Sequence, residues 1–220
     1  MELAVFGGNG FIGRRVCRRA VEDGHSVTSI ARSGPPVPDQ RGPWAEAVTW
    51  HAADVFAPQE WRHALDGVDA VVHSIGIIEE SPTEGVTFER VNGDAGIVTA
   101  LESERAGVDR FVYVSSETCP PTVREAYITA KRRAERAIAD LAMTTVVLRP
   151  GPVYGPAQPH FHPLLNRLLA VLDTFEPVSS RLPSRPLDVD TVGEAVYEAA
   201  VGTSVPAGPL GPDAIAEQFG

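Results

Sequence analysis

The first strand-like segment of the chain runs directly into a glycine-rich turn. Glu2–Phe6 is short and apolar, and a helical pattern extends from Phe11 to Glu22. Glycines between them allow a tight turn, a close approach of backbone to phosphate, and tight packing of helix on strand. The N-terminus of the helix attracts anions. A glycine-rich turn can be only a turn, but its place between a first strand and a first helix predicts dinucleotide binding. The glycines with the G-x-x-G-x-x-G spacing are Gly7, Gly10 and Gly13.

The rest of the chain alternates strand-like and helical patterns, which indicates parallel βαβ units. We therefore predict an α/β fold, a Rossmann-type doubly wound parallel sheet with strand order 3-2-1-4-5-6 and ligands at the carboxyl ends of its strands. The predicted strands are Glu2–Phe6, Ser26–Ala31, Val48–Ala52, Asp69–Ile75, Arg110–Ser115 and Thr144–Leu148. The predicted helices are Phe11–Glu22, Pro58–Leu65, Glu84–Ala106, Val123–Leu141, Phe161–Phe175 and Val192–Ala200.

A length of 220 residues suits one domain. We expect a single domain over residues 1–220, in which residues 151–220 form a small C-terminal lobe. Pro183–Asp190, with a short strand near Pro186–Val189, is expected to return to the cofactor edge. The apolar positions of Phe161–Phe175 follow helical spacing, and we expect that face to pack as core or lid rather than on a membrane surface.

Composition excludes several classes of protein. A net charge of −10 without a basic stripe argues against a nucleic-acid partner. No apolar run is long enough to cross a bilayer, and the first residues read as a strand rather than a signal peptide. Cys17 and Cys119 have no metal or redox spacing and suit a reducing cytosol, so we expect a cytoplasmic protein. His160 and His162 have no third ligand at a suitable spacing, so no metal site is predicted.

Lysine occurs once in the chain, at Lys131, against eighteen arginines. Tyr127 lies four residues earlier in a helical pattern, so the two side chains share one helix face. Arginine cannot replace a lysine whose point charge must sit beside a phenol, because its planar fork has a different shape. A surface lysine beside a packed tyrosine is the alternative, but it does not explain why lysine remains only here.

Two further residues bear on the nature of the dinucleotide. Arg32 follows the second strand, where an acidic residue would hold the ribose hydroxyls of NAD. Arginine there suits a 2′-phosphate, so NADP (NADPH) is favoured over NAD, although one more surface arginine is the alternative. Asp54 follows the third strand and is placed to face an adenine amino group, with a turn or cap residue as the alternative.

With these features the chain resembles the extended and atypical short-chain dehydrogenase/reductases, the NAD-dependent epimerase/dehydratase-like proteins, over almost its whole length. The glycine turn, Asp54, the end of the fourth strand, Tyr127 with Lys131, and Arg149-Pro150-Gly151 occur in the order that this family uses. Longer stretches are similar to the branch that contains the NADPH-binding accessory subunit of respiratory complex I and a coenzyme-Q-biosynthesis protein. These stretches are Val5–Phe11, Trp50–Phe56, Val72–Ile77 and Tyr127–Glu135.

The resemblance implies roles for the matching residues. Tyr127 and Lys131 would be the acid–base pair, in which the ammonium and an oxidised nicotinamide lower the pKa of the phenol. Ser116 would hydrogen-bond a substrate carbonyl, with a serine that only caps the next turn as the alternative. Lys131 would also hold the ribose. Asn92 is expected to be structural. The implied pyrophosphate ligands are Gly7, Gly10, Phe11, Ile12 and Gly13, with Arg32 at the adenosine phosphate and Asp54 and Val55 at adenine. His73, Ser74 and Ile75 would line the ribose and nicotinamide side, and Pro150, Gly151 and Val153 would meet the carboxamide.

Two functions fit this pattern. The first is an NADP-dependent oxidoreductase acting on a small or hydrophobic carbonyl compound, with quinone-related compounds among the candidates. The alternative is a non-catalytic NADPH-binding accessory or assembly protein in peripheral contact with a respiratory or quinone-biosynthesis complex. In the family's enzymes for nucleotide sugars, the interval that corresponds to Ser116–Tyr127 and the tail that follows Pro150 are both longer. Their shortness here argues against a nucleotide-sugar substrate.

Overall fold

The computed structural model describes residues 1–120, 123–174, 184–204, 206 and 208–220. Its centre is a six-stranded parallel sheet with the order β3-β2-β1-β4-β5-β6. Both the predicted fold class and the predicted strand order are therefore confirmed. The strands are β1 (Glu2–Phe6), β2 (Ser26–Ala31), β3 (Val48–Ala52), β4 (Ala70–His73), β5 (Arg110–Val114) and β6 (Thr144–Leu148).

Helices cover both faces of this sheet. The α-helices are α1 (Gly13–Glu22), α2 (Pro58–Trp61), α3 (Ala95–Arg105), α4 (Ala126–Ala139), α5 (Pro163–Thr174), α6 (Val189–Val201) and α7 (Pro212–Phe219). Short 3₁₀ segments span Pro38–Gln40, Pro43–Ala47, Arg62–Leu65 and Pro82–Glu84. A parallel pair, β7 (Val153–Tyr154) and β8 (Leu187–Asp188), stands apart from the main sheet. Among the described residues, no helix is both long and apolar enough to cross a membrane.

Alternate residues of the buried strands contribute to two apolar cores, one on each face of the sheet. Leu3 and Val5 of β1 face a core that α1 and α6 complete. Ala4 and Phe6 face the opposite core, where the Phe6 ring meets the Trp61 ring edge-on with centroids 4.8 Å apart. Because side chains alternate along a strand and both faces are covered, these strands are apolar at nearly every position.

The predicted helix Glu84–Ala106 is divided into pieces. A π-helical turn, Glu89–Asp94, precedes α3. Within it the Asn92 side chain donates to the Ile77 carbonyl at 2.9 Å and accepts from the Ile77 amide at 2.8 Å. The Tyr113 hydroxyl donates to the Asn92 carbonyl at 2.7 Å. The Tyr113 bond occupies the Asn92 carbonyl, an acceptor of the regular helical ladder, and the two Ile77 bonds fix the loop that follows β4.

Helix α5 packs through a mixed face, and only in part through the apolar face that was expected to form core or lid: Asn166, Leu169, Leu172 and Asp173 are half-buried, while Arg167 is exposed. The Asn166 amide group bonds both the N–H and the carbonyl of Gly155, at 2.9 and 3.0 Å. Leu164, Leu165 and Leu168 are exposed, at 69%, 42% and 53% of their surface. The inward hydrogen bonds of Asn166 therefore decide which face packs. Phe175 and Pro183, which belonged to the predicted segments here, lie outside the described residues.

Candidate functional site

The turn after β1 can be made only with glycines. Gly7 has a φ of +82°, a region that other residues rarely adopt. The Gly10 amide donates to the Gly7 carbonyl at 2.9 Å. A Cβ atom on Gly13, where α1 begins, would lie 2.2 Å from the Gly7 carbonyl oxygen. The closeness of turn and helix leaves the helix N-terminus, with its unpaired N–H groups, at the carboxyl end of β1.

A groove with a volume of about 460 Å³ opens at this end of the sheet. We call it the glycine-loop groove. It is lined by residues that follow β1, β2, β3 and β4, the edge at which parallel sheets bind ligands. Seven of the predicted cofactor-binding residues meet there: Gly7, Gly10, Arg32, Asp54, Val55, Ser74 and Ile75.

Arg32 and Asp54 lie at the groove end formed by β2 and β3. Arg32 is exposed and makes no hydrogen bond or ion pair with any residue that the structure describes. Asp54 Oδ1 accepts from the Phe56 amide at 3.0 Å, so Asp54 also stabilises the turn after β3. Asp54 thus stabilises a turn, as the alternative interpretation proposed, and it also lines the groove.

The remaining predicted cofactor residues lie outside the groove lining. Phe11 and Ile12 occupy the turn before α1, and Lys131 lies on α4. The Glu117 amide donates to the Pro150 carbonyl at 3.0 Å, which joins the ends of β5 and β6. Gly151 and Val153 continue from there into β7. The cofactor contacts of these residues stay predictions.

His73 ends β4 with its side chain buried in the sheet. Its ring is 1% exposed and stacks among aromatic rings, and Nδ1 lies 3.1 Å from the Thr99 hydroxyl. Burial, together with the charge of Lys131, lowers the pKa of His73 to about 3. His73 is therefore neutral, and its Nε2 has no hydrogen-bond partner among the described residues. Its predicted contact with a cofactor stays a prediction.

Tyr127 and Lys131 lie together on the buried face of α4, at 8% and 4% exposure. Lys131 Nζ donates to the Val114 carbonyl at 3.0 Å and sits 5.8 Å from the centre of the Tyr127 ring. Burial lowers the pKa of Lys131 to about 8, although the charge of Glu135 opposes this. The lysine is thus an ammonium at neutral pH, held beside the phenol.

Ser116 stands next to this pair, in the loop after β5. Burial raises the pKa of Tyr127, and the neighbouring Ser116 hydroxyl lowers it by a smaller amount. In the protein alone the pKa of Tyr127 is therefore raised, whereas we expected Lys131 and an oxidised nicotinamide to lower it. Tyr127 holds its proton at neutral pH. We call Ser116, Tyr127 and Lys131 the Tyr127 corner.

The glycine-loop groove and the Tyr127 corner adjoin at the loop after β4. Gly76 lines the groove, and a Cβ atom on it would lie 3.6 Å from Lys131 Nζ. Ile77 also lines the groove and packs on the small apolar cluster that contains Phe88 and Tyr127. A ligand lying along the groove would therefore end beside the lysine and the phenol.

Some residues that line or fix the groove were not predicted from the sequence. Asn9 Nδ2 donates to the Ser33 hydroxyl at 2.8 Å and to the Gly34 carbonyl at 2.9 Å, which ties the glycine turn to the loop after β2. The Arg90 guanidinium lies 4.1 Å from the centre of the Phe56 ring, and both residues line the groove. Phe56 directly follows Asp54-Val55 in sequence, a signal that could have marked it. Arg90 had no such signal.

Comparisons with known proteins agree with this geometry. A family model described as "NAD dependent epimerase/dehydratase family" matches residues 3–173. The chain is 30% identical over 200 residues to MIOREX complex component 2 of Saccharomyces cerevisiae, covering 68% of this chain and 72% of that protein. It is 32% identical over 154 residues to ceramide reductase of Caulobacter vibrioides, covering 70% and 47%. It is 25% identical over 201 residues to the mitochondrial 40 kDa subunit of NADH-ubiquinone oxidoreductase of Neurospora crassa, covering 88% and 50%.

The chain spans about half the length of several curated relatives that it matches. Among solved structures, UDP-glucuronic acid 4-epimerase of Bacillus cereus in complex with NAD has a TM-score of 0.71 at 18% identity, covering 95% of this chain and 76% of that one. A putative NAD-dependent epimerase/dehydratase of Bacillus halodurans has a TM-score of 0.70 at 21% identity, covering 99% of both chains. At these identities the structures share the fold.

Proposed function

The chain belongs to the NAD-dependent epimerase/dehydratase family, and from that premise we propose that it is an NADP-dependent oxidoreductase that reduces a small or hydrophobic carbonyl compound. The observation that carries the proposal is the assembly of the Tyr127 corner at the end of the glycine-loop groove. Family membership alone supports a bound dinucleotide. The buried phenol, ammonium and hydroxyl support turnover.

The residues of the Tyr127 corner supply the proton chemistry of such a reduction. When bound, NADPH supplies the hydride for the carbonyl carbon. The Ser116 hydroxyl, which donates to the Thr118 carbonyl at 2.9 Å, would turn towards the carbonyl oxygen of the substrate and orient it. Tyr127 transfers its phenolic proton to that oxygen as the alcohol forms. Lys131 stabilises the phenolate that remains until Tyr127 regains a proton from solvent. Because the pKa of Tyr127 is raised, the phenol is protonated before the reaction, which suits reduction.

The surroundings of Tyr127 support an apolar substrate. The partly buried residues beside the phenol are hydrophobic and pack on one cluster with Phe88 and Tyr127. A hydrophobic carbonyl compound could contact this surface without leaving buried polar groups unpaired. The name of one relative, ceramide reductase, agrees with a lipid-like carbonyl. The partly buried members of the cluster are Ile77, Ile78, Cys119, Val123, Ala126 and Ile128.

The preference for NADP rests on Arg32. Its guanidinium lines the glycine-loop groove and has no acidic partner among the described residues. A free guanidinium at the end of β2 matches the position of an adenosine 2′-phosphate in a sheet of this order. A second arginine in the lining, Arg90, adds positive charge to the same groove.

Replacing Tyr127 with phenylalanine tests the proposed chemistry. A panel of ketones, aldehydes and quinones is first screened for NADPH oxidation by the wild-type protein. On each accepted compound, Tyr127→Phe should lower kcat about 10²- to 10⁴-fold because the proton donor is lost. NADPH affinity should change less than about twofold, since the groove is intact. Tyr197→Phe, which alters a phenol that donates to Asp23 at the C-terminal end of α1, is the control and should keep full turnover. Equal turnover by Tyr127→Phe and wild type would contradict the assignment.

A second candidate function is NADPH binding without turnover, in peripheral contact with a respiratory or quinone-biosynthesis assembly. Two relatives are named as a complex component and as a respiratory-complex subunit. The exposed leucines of α5, Leu164, Leu165 and Leu168, offer an apolar surface for contact. The intact Tyr127 corner favours the oxidoreductase. Purified protein that retains NADPH and oxidises it with no compound of the panel would favour the second function.

We also propose a cytoplasmic location, as the cysteine content of the sequence suggested. Cys17 and Cys119 are both free thiols. Unpaired cysteines are usual in a reducing compartment. Fractionation of the host cell with an antibody to the protein would test this proposal.

A further inference from the structure

A buried carboxylate joins the elements that end at the Tyr127 corner. Glu135 lies on α4, four residues after Lys131, and is 7% exposed. It accepts hydrogen bonds from the Ser115 hydroxyl, from Arg132 Nη1 at 2.5 Å, and from Arg149 Nε and Nη2 at 3.1 and 2.5 Å. Ser115 directly follows β5 and Arg149 directly follows β6. One carboxylate therefore links α4 to the ends of two strands.

Arg132 extends this network to the backbone of the loop that carries Ser116. Its Nη2 atom donates to the carbonyl oxygens of Ser116 and Glu117, at 2.8 and 2.9 Å. Its Nη1 atom also donates to the Ser115 hydroxyl at 3.2 Å. Since Arg132 adjoins Lys131 on α4, the helix and the loop are held as one unit.

A gain in the stability of the fold does not by itself account for this buried network of charges. Burial raises the pKa of Glu135, but hydrogen bonds from Arg149 and Ser115 and the charge of Arg132 outweigh this and hold it below its ordinary value. The carboxylate is thus permanently charged at neutral pH. A buried ion pair often stabilises a fold no better than apolar side chains of the same volume. Directional bonds do, however, fix geometry more sharply than apolar contacts.

Each element that the network joins carries one part of the proposed site. Helix α4 carries Tyr127 and Lys131, the loop after β5 carries Ser116, and the end of β6 carries Pro150 and Gly151. Resting on the proposed oxidoreductase function, we propose that Glu135 is a positioning residue that holds these three parts in register for catalysis. It touches neither substrate nor cofactor, and it acts through Arg132, Arg149 and Ser115.

The charge of Glu135 has a second effect, on Lys131. Burial and Arg132 lower the pKa of Lys131 to about 8, and Glu135 raises it against them. The other ionisable groups around the ammonium are Tyr127 on α4, Tyr113 on β5 at 5.4 Å to its ring centre, and the neutral His73 on β4. Removing the negative charge should therefore let Lys131 lose its proton at a lower pH.

Glu135→Gln tests this inference, because glutamine keeps the shape but removes the charge and part of the hydrogen bonding. We expect kcat to fall about tenfold to a hundredfold, because a small misplacement of the reacting groups slows the reaction, and NADPH affinity to fall by a smaller factor. The alkaline limb of the kcat profile should move to lower pH. Glu102→Gln, on α3, removes a carboxylate that is 8% exposed but remote from the corner, and it should change neither quantity. A crystal structure of Glu135→Gln should show Ser116 displaced from Tyr127.

The outcomes separate this inference from the proposed function. Wild-type turnover with an unchanged kcat and pH profile in Glu135→Gln would overturn the positioning role alone. If the wild type turns over no carbonyl compound, the proposed function fails, and an unmoved Ser116 in the Glu135→Gln structure would overturn the positioning role as well. Should Glu135→Gln not fold, Arg132→Lys decides, because lysine keeps the charge but cannot reach both carbonyls. It should lower kcat without shifting the pH profile, and full activity would overturn the inference.

Discussion

The glycine-loop groove and the Tyr127 corner are built from different materials. The turn of the groove is made by backbone, with Gly7, Gly10 and Gly13 packed so closely that a Cβ atom on Gly13 has no space. The corner is made by side chains, with a phenol and an ammonium both less than a tenth exposed. The first region depends on the absence of side chains, and the second depends on burying polar ones.

This difference teaches where each region is vulnerable. A backbone site fails through steric change and is insensitive to pH, because it contains no ionisable group in its turn. A site of buried charges loses its function when a charge is removed. It also lowers the stability of the fold, since burial disfavours the charged form of Lys131. Substitutions in the two regions should therefore have opposite effects on folding.

The largest effect should follow from Gly13→Ala. The added methyl group would lie 2.2 Å from the Gly7 carbonyl oxygen and 2.7 Å from the Ser74 hydroxyl, so turn and helix must separate. We expect NADPH affinity to fall about a hundredfold or more, equivalent to about 3 kcal/mol, measured by calorimetry. Overpacking should also lower the free energy of unfolding by about 1–3 kcal/mol.

Gly24→Ala is the matched control for that substitution. Gly24 has a positive φ, +80°, which Gly13 does not have, and nothing lies within 4 Å of its added Cβ. It should lose about 1 kcal/mol of stability through backbone strain alone, and it should bind NADPH normally. Equal affinities for Gly13→Ala and Gly24→Ala would show that close packing of the turn does not determine binding.

Lys131→Met should act in the opposite direction on stability. It should lower kcat by about 10²-fold or more, because the ammonium beside the phenol is lost. It should also raise the free energy of unfolding at pH 7 by on the order of 3 kcal/mol, since the burial penalty that lowers the pKa of Lys131 from 10.5 to about 8 disappears. Denaturant unfolding of both proteins, with kcat measured on the same samples, checks the two effects.

The size of this stability change depends on pH. The pKa of Lys131 falls from 10.5 in the unfolded chain to about 8 in the fold. Below pH 8 both states hold the proton, and the wild type carries the full penalty. Between pH 8 and 10.5 the folded lysine is neutral while the unfolded one is not, so the penalty shrinks as pH rises. The gap between Lys131→Met and wild type should narrow over this range, and a constant gap would contradict the burial argument.

The sequence was most informative where function depends on local pattern. Strand and glycine positions predicted the fold class and strand order, and the Tyr127 and Lys131 spacing placed both side chains on one buried face of α4. The family resemblance is confirmed by the matching family model and by the complex I relative. These signals are contained within a few neighbouring residues, which is why sequence alone conveyed them.

Features that depend on distant partners could not be predicted. The inward face of α5 is decided by the bonds of Asn166 to Gly155, which no periodicity reveals. The π-helical turn at Asn92 depends on Ile77 and Tyr113, far away in sequence. Helix α7 was not predicted, because its sequence lies among prolines and glycines, and it packs on the core through Ile215.

The smallest of these effects should come from Arg32→Ala, which tests whether the groove contains any selective side chain. The guanidinium is exposed, so its bond to a 2′-phosphate should contribute at the low end for a charge-assisted hydrogen bond, about 1.5 kcal/mol. NADPH affinity should then fall about tenfold. NADH affinity should stay constant, because NADH has no 2′-phosphate. Arg136→Ala, at an exposed position of α4 away from the groove, controls for the general loss of positive charge. Raising the salt concentration should reduce the NADPH difference, since exposed charges are screened. If Arg32→Ala weakened the binding of both nucleotides equally, Arg32 would be a general phosphate contact and would not distinguish NADPH from NADH.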